Sequence, residues 1–164
     1  MKTRIMALLL SIVASLLVST AAMAAGGGDL MTANVNVRDT ASLQRGAKLF
    51  VNYCFACHAA GYMRYNRLAE DLGLTEEMVT QNLMFADAKI GETMDIAMRP
   101  ADAAAWMGKT PPDLSLSARS RGVDWLYTYL MTFYQNETGG WNNQALPNAS
   151  MPHVFWKLQG IQSP

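Results

Sequence analysis

Cysteine and histidine are scarce in this sequence, which has two of each among its 164 residues. Both cysteines and one histidine fall in a single short stretch, Cys54 to His58. A structural zinc site needs about four ligands, and no second Cys or Cys/His pair stands at a matching spacing. A disulfide between Cys54 and Cys57 closes too small a loop to stabilise a fold much. The scarcity therefore argues against a zinc site and against a structural disulfide.

The sequence also lacks a basic excess, internal repeats and convincing alternating strand patterns. Its 13 Lys and Arg balance its 13 Asp and Glu, and without Lys2 and Arg4 the formal charge falls from 0 to −2. This balance gives no support for nucleic-acid binding, which requires a basic surface. No apolar run after Ala24 approaches the length of a transmembrane helix. What remains suits one compact, mainly helical domain.

The first residues have the order of a secretory signal peptide. Lys2 and Arg4 precede an apolar run over residues 5–18, and small residues then lead to Ala-Met-Ala at 22–24. A positive segment, an apolar segment and an A-x-A site predict export, with cleavage after Ala24. The alternative is an uncleaved anchor, because residues 5–25 carry no charge and are just long enough to span a bilayer. Both interpretations place the rest of the chain outside the cytoplasm.

Beyond this segment the pattern predicts an extended arm over residues 25–39 and one domain over residues 40–164. A helix leads into the cysteine pair, with Thr40 and Ser42 as candidate caps and apolar residues three or four apart: Leu43, Ala47, Phe50 and Cys54. Further helices are predicted from Thr75, with Met78 on its apolar side, over 100–106 and over 122–134. In the last of these the predicted apolar stripe is Val123, Leu126, Tyr127, Leu130 and Tyr134. Residues 110–113 form an extended Thr-Pro-Pro-Asp loop, and 139–152 a long loop of the kind that is usually functional or disordered.

The stretch Cys54-Phe55-Ala56-Cys57-His58 matches the C-x-x-C-H attachment motif of c-type haem. The spacing suits the chemistry, because two thiols add across the haem vinyl groups and the adjacent imidazole then reaches the iron. Export agrees with this, since c-type haem is generally attached outside the cytoplasm. A redox-active C-x-x-C pair would need a βαβ context that the sequence lacks. The motif therefore predicts one covalently bound haem c, held by Cys54 and Cys57.

The sixth iron ligand is less well determined by the residues. Met63 follows His58 too closely to reach the opposite haem face, and methionines on helical stripes are more often core residues: Met78, Met84 and Met131. Met151 differs because it stands in a loop stiffened by proline on both sides. The sequence pattern leaves iron ligation and an ordinary core or surface role equally open for Met151, and His153 is the rival ligand.

Two arginines, Arg119 and Arg121, follow the Pro-Pro loop and precede the helix predicted from Gly122. Haem propionates within a protein need cationic or hydrogen-bonding partners, and the guanidinium group suits carboxylates well. For either arginine taken alone, a solvated surface position is an equally good interpretation.

Several segments, in order, resemble the cytochrome c1 family, the haem subunits of bacterial cytochrome bc1 complexes (ubiquinol–cytochrome c reductases). The likeness rests on LQRGA (43–47) before CFACH, YMRYNR (62–67), PPDLSLSARSRG (111–122) before an aromatic helix, and PNASMPHVFW (147–156). The C-x-x-C-H motif alone indicates only a haem protein, whereas this ordered set, over about residues 40 to 160, is specific.

The resemblance implies a cytochrome c-like helical fold whose long ordered loops wrap around one covalent haem. It makes His58 the proximal ligand and Met151 the favoured sixth ligand, places Arg121 near a haem propionate and puts Pro112 in the loop that packs on the haem. It further implies an electron carrier that belongs, as a complex, to a quinol–cytochrome c oxidoreductase. Such a subunit takes one electron from a Rieske iron–sulfur subunit and passes it to a cytochrome c.

The implied setting is the periplasmic face of the bacterial inner membrane, beside cytochrome b. The family carries a C-terminal transmembrane helix preceded by further periplasmic sequence, and this sequence shows neither before Pro164. Membrane association is therefore expected through the complex. Two alternatives stay open, namely a free-standing periplasmic c-type cytochrome and a haem peroxidase with a displaceable sixth ligand.

Overall fold

The computed structural model of the chain describes residues 29–164, so the signal-peptide prediction for residues 1–24 lies outside the described residues. From residue 29 to residue 36 the arm has neither helix nor strand. Two of its backbone N–H groups donate to one later helix, Met31 to Thr128 Oγ1 and Ala33 to Asp124 Oδ1, each at 2.8 Å. These bonds hold the arm against the domain.

Helices form most of the regular structure of residues 29–164, in agreement with the mainly helical class that was predicted. The helices are α1 Thr40–Leu49, α2 Tyr65–Leu72, α3 Glu76–Asn82, α4 Pro100–Met107, α5 Ser117–Arg121, α6 Val123–Met131 and α7 Trp156–Gln159. Helix α1 continues into a π-helical turn at Phe50–Cys54. Among residues 29–164 the structure contains no candidate for a membrane-spanning helix.

Two short antiparallel ladders accompany the helices, although the sequence shows no convincing alternating strand pattern. Strand β1 (Ala60–Arg64) pairs with β2 (Thr93–Met94), and β3 (Phe133–Gln135) pairs with β4 (Trp141–Asn143). Segments of two to five residues are too short to show a period of two in the sequence. Their pairing depends on a partner strand elsewhere in the chain.

Helix ends follow local chemistry where a cap or proline is present. Thr75 caps α3 as predicted, because its Oγ1 accepts the N–H of Met78 at 3.1 Å. Helix α4 begins at Pro100 and ends before Gly108, whose φ of +71° favours glycine. The caps predicted for α1 were wrong. Asp39 is the N-cap, its Oδ1 accepting the Ser42 N–H at 3.0 Å.

The helix predicted over 122–134 ends earlier, at Met131. The next residues belong to β3, because they pair with Trp141–Asn143 in the other half of a hairpin. The buried side of α6 carries Thr128 and Tyr129 instead of the predicted stripe. Met78, which was placed on the apolar side of α3, is 48% exposed and lies outside the core.

The hydrophobic core packs beneath the cysteine turn. Val51 and Phe55, on either side of Cys54, are 6% and 7% exposed and anchor this turn to the core. Phe55 meets Tyr65 edge to face at 6.5 Å between ring centroids. The other buried members of this cluster are Ala69, Leu72, Val79, Leu83 and Met94. The backbone around Cys54 is therefore held by apolar packing on both sides.

Candidate functional site

A tight turn brings the two cysteines and the histidine of the C-x-x-C-H motif together. The carbonyl oxygen of Cys54 accepts the N–H groups of Cys57 at 3.0 Å and of His58 at 2.9 Å. The turn directly follows the π-helical segment, a local geometry that is common at functional sites. Both cysteines are half-buried free thiols. Burial, and secondarily the nearby Cys57, raises the pKa of the Cys54 thiol, which favours its neutral form.

The imidazole of His58 is oriented by the Pro-Pro loop. Its Nδ1 lies 2.7 Å from the carbonyl oxygen of Pro112. A carbonyl only accepts hydrogen bonds, so Nδ1 carries the proton and donates it. In the neutral ring, Nε2 is then unprotonated and has a free lone pair. The side chain is thereby prepared to bind a metal through Nε2.

The Pro-Pro loop is also hydrogen-bonded to residues 59–62, which directly follow the cysteine turn; these residues and the turn are called the cysteine segment. Three further hydrogen bonds join the two segments: Leu114 N–H to the Ala59 carbonyl (2.9 Å), Gly61 N–H to Asp113 Oδ2 (2.8 Å) and Tyr62 N–H to Ser115 Oγ (3.1 Å). Hydrogen bonding from Ser115, and then from Gly61, lowers the pKa of Asp113. Asp113 and Ser115 were not singled out from the sequence, although the Thr-Pro-Pro-Asp pattern marks their loop.

Beside these segments lies a cavity of about 430 Å³. Its wall includes Cys57, Pro112, apolar side chains such as Ile96 and Met98, and the carboxylates of Asp95 and Asp113, whereas Cys54 and His58 are not among the lining residues. This volume lies within the usual range of cofactor pockets, about 300–1,000 Å³. A c-type haem needs a thiol at its edge, an imidazole with a free nitrogen and apolar walls. The residues present fit that group.

The segment that contains Met151 contacts the cysteine turn through two aromatic rings. Tyr53 and Phe155 have ring centroids 5.1 Å apart with an interplanar angle of 59°. Tyr53 directly precedes Cys54, and Phe155 lies shortly after Met151, which is half-buried. The contact therefore joins the two segments from which axial ligands were predicted. Sequence reasoning missed both aromatic residues as contacts, and their position beside the motifs was the available signal.

His153, the rival ligand, is 1% exposed and packed between aromatic rings. It stacks on Phe133 at 5.2 Å and 8°, and it meets the edge of Trp141 at 5.3 Å and 78°. Among residues 29–164, neither ring nitrogen has a hydrogen-bond partner. Burial has the larger influence on the pKa of His153 and lowers it, while the backbone of Gly160 acts in the opposite direction.

Arg121 lies on the surface at the end of α5. Its guanidinium carbon stands 4.7 Å from the centroid of the Trp125 ring, in a cation–π contact. The contacts found within residues 29–164 do not join it to His58 or Pro112. Within the same range, no cluster of three or more His, Cys, Asp or Glu residues could hold a metal ion.

Comparison with known proteins connects this arrangement to one family. Residues 32–157 match the family model described as the Cytochrome C1 family. A protein named cytochrome c1 from Allochromatium vinosum is 54% identical over 150 residues, which cover 90% of this chain and 62% of that protein. A protein named ammonia monooxygenase gamma subunit from Nitrosomonas europaea is 49% identical over 132 residues, covering 79% and 56% respectively.

A third relative, named cytochrome b/c1, comes from Bradyrhizobium diazoefficiens. It is 33% identical over 122 residues, which cover 60% of this chain and 18% of that protein. The chain therefore spans less than two thirds of the length of each of these curated relatives. The family match nevertheless includes the cysteine turn, the Pro-Pro loop and the Met151 segment. The chain belongs to the cytochrome c1 family, and its cofactor is a c-type haem.

Proposed function

We propose that this chain is the haem-bearing electron-transfer subunit of a cytochrome bc1 complex. In this role it takes one electron from a Rieske iron–sulfur protein and passes it to a cytochrome c. The single observation that carries the proposal is the 2.7 Å hydrogen bond between His58 Nδ1 and Pro112 O, in a chain that belongs to the cytochrome c1 family. This bond leaves Nε2 of the neutral ring free to bind the haem iron.

The proposed roles of the site residues follow from their chemistry. Cys54 and Cys57 would hold the haem covalently through their sulfurs. His58 would bind the iron through Nε2, and Met151 would bind it through its thioether sulfur. When bound, the haem supplies an iron that exchanges one electron. The loops of the domain, residues 40–164, wrap around it.

Residues of the chain influence the reduction potential of the haem. By accepting the hydrogen bond from the Nδ1–H of His58, the Pro112 carbonyl increases the basicity of the ligand nitrogen. A methionine in the sixth position gives a higher reduction potential than a second histidine. Arg121 is proposed to compensate a haem propionate, which requires it to leave or share its contact with Trp125. With His58 and Met151 both bound to the iron, the haem would transfer electrons without binding a substrate.

The proposed location is the periplasmic face of the inner membrane. Support comes from the positive, apolar and A-x-A pattern of residues 1–24. The proposed partners are cytochrome b, the Rieske subunit and an acceptor cytochrome c, with membrane association through the complex. Electron-transfer contacts of this kind are usually small and transient. Mass spectrometry of the mature N-terminus distinguishes cleavage after Ala24 from an uncleaved anchor.

The cofactor assignment is tested on a denaturing gel stained for haem. The wild-type chain should retain haem through denaturation, and replacement of both Cys54 and Cys57 by serine should abolish the stain. Carbon monoxide then tests the sixth position. The reduced wild-type protein should bind the gas poorly, and ready binding would favour the alternative of a haem peroxidase with a displaceable ligand.

Membership of a complex is tested by gentle solubilisation and co-purification. Cytochrome b and the Rieske protein should accompany the chain. A haem protein that purifies alone would support the alternative of a free-standing periplasmic cytochrome. A different partner is also possible, because the relative named ammonia monooxygenase gamma subunit is 49% identical to this chain over 132 residues. Co-purification with an ammonia monooxygenase in place of cytochrome b would overturn the bc1 assignment.

A further inference from the structure

The β3–β4 hairpin lies at the base of the loop that carries Met151. Its strands pair in register, with Phe133 opposite Asn143. Asn143 is 1% exposed, and its Nδ2 donates to the carbonyl of Tyr129 on α6 at 2.7 Å. The hairpin is thus attached to a helix by a buried hydrogen bond and can act as a rigid base.

In the loop after β4, every second N–H group from Gln144 to Asn148 donates a hydrogen bond to the hairpin or to Thr132, which directly precedes it. Gln144 N–H donates to the Thr132 carbonyl at 3.1 Å, Leu146 N–H to Asn143 Oδ1 at 3.0 Å, and Asn148 N–H to Asn142 Oδ1 at 2.8 Å. The last bond reaches furthest along the loop. It spans six residues, and it holds Asn148 in a left-handed conformation with φ of +62°.

The other side of Met151 is held by the same hairpin. His153 stacks on Phe133 of β3 and meets the edge of Trp141 of β4. Met151 therefore lies between two attachments to one rigid element, Asn148 before it and His153 after it. A thioether side chain is flexible, so its position depends on how firmly the backbone on each side is held.

We propose that Asn142 is a positioning residue for Met151, acting through the hydrogen bond that its Oδ1 accepts from the Asn148 N–H. The inference rests on the proposed function, in which Met151 is the sixth ligand. The same oxygen accepts the N–H of Asn143 at 2.8 Å, so an acceptor at this position organises the start of the loop as well as its far end. Loss of the oxygen releases the backbone three residues before Met151.

The test compares Asn142→Ala with Asn142→Asp in the intact haem-loaded protein. Aspartate keeps an oxygen in the same place, whereas alanine removes it. Loss of one such bond should weaken methionine binding enough to raise the carbon monoxide affinity of the reduced haem about five- to tenfold. The sulfur-to-iron charge-transfer band of the oxidised protein should weaken in parallel. Asn142→Asp should stay within about twofold of wild type.

A further variant, Met151→Ala, separates the possible failures. Met151→Ala should raise carbon monoxide affinity more than Asn142→Ala does. If Met151→Ala changes nothing, the proposed ligand is wrong and the inference falls with it. If Met151→Ala acts but Asn142→Ala does not, the ligand stands and only the positioning role of Asn142 is overturned. Equal effects of Asn142→Ala and Asn142→Asp would also overturn that role.

If Asn142→Ala does not fold in sufficient quantity, Asn142→Gln is measured in its place. It keeps the amide but moves the oxygen by one methylene, and the same rise in carbon monoxide affinity is expected. Amide hydrogen exchange at Asn148 gives an independent measurement. The exchange should accelerate in Asn142→Gln and stay slow in Asn142→Asp, and slow exchange in both would contradict the proposal.

Discussion

The Nδ1 atom of His58 lies 2.7 Å from the carbonyl oxygen of Pro112, which follows it by 54 residues in the chain. Because the acceptor is a backbone atom, a change of the Pro112 side chain does not remove it. The strength of the bond depends on how firmly the loop is held. Asp113 is the neighbour that holds it most directly, since it accepts the N–H groups of Gly61 and Ser115.

Asp113→Asn should lower stability in a pH-dependent way. The pKa of Asp113 is lowered in the folded protein, first by hydrogen bonding from Ser115. Such a group adds stability above its unfolded pKa of about 4, and that stability is lost as the pH falls through the folded pKa. Because Asp113 is exposed and its interactions are screened by solvent, we expect the variant to be less stable by only about 0.5 kcal/mol at neutral pH. Denaturant unfolding at several pH values should show the difference vanishing in acid, and a constant difference would contradict the assignment.

Gly61→Ala should destabilise the contact between the cysteine segment and the Pro-Pro loop. A Cβ at this position would lie 3.0 Å from Asp95 Oδ1 and 3.2 Å from Asp113 Oδ2. The two carboxylates must move by a few tenths of an ångström, which strains the hydrogen bond from Gly61 N–H to Asp113, so we expect a loss of up to about 1 kcal/mol. Gly91→Ala is the matched control, because nothing lies within 4 Å of its added carbon. Thermal unfolding of both variants checks the prediction, which fails if the two lose stability equally.

His153→Phe should leave the haem spectrum unchanged if Met151 is the sixth ligand. Phenylalanine keeps the stacked ring against Phe133 and removes two buried nitrogens that have no hydrogen-bond partner. His153→Ala should instead cost about 3 kcal/mol, because it leaves a cavity between the rings. Optical spectra and unfolding curves of the two variants separate these effects. A spectrum altered by His153→Phe would restore His153 as the candidate ligand.

Arg121→Gln should lower the reduction potential of the haem. A positive charge near the iron favours the reduced state, and its loss is expected to shift the potential by about 20–40 mV downward. Arg119→Gln is the control, since Arg119 lies on the same short helix and is likewise exposed. Potentiometric titration of both variants measures the shifts. Equal shifts would show a general effect of surface charge and would contradict a specific role for Arg121.

Several elements could be predicted from the sequence because their causes are local. Thr75 caps α3 with its own hydroxyl, and Pro100 and Gly108 mark the ends of α4. The end of α6 could not be predicted in this way. The aromatic residues after Met131 continue a helical pattern, but they become a strand because Trp141–Asn143 is available to pair with them.

The sequence by itself determined the local grouping of the residues that are proposed to hold the haem. Cys54, Cys57 and His58 are close in the chain, so their spacing was enough to predict the cofactor that family membership confirms. Only the tertiary structure decided which distant groups act on them. The hydrogen bond from His58 to Pro112, the contact of Tyr53 with Phe155 and the packing of His153 join residues far apart in the chain. Such contacts depend on how the core and the hairpins bring segments together, which local spacing does not encode.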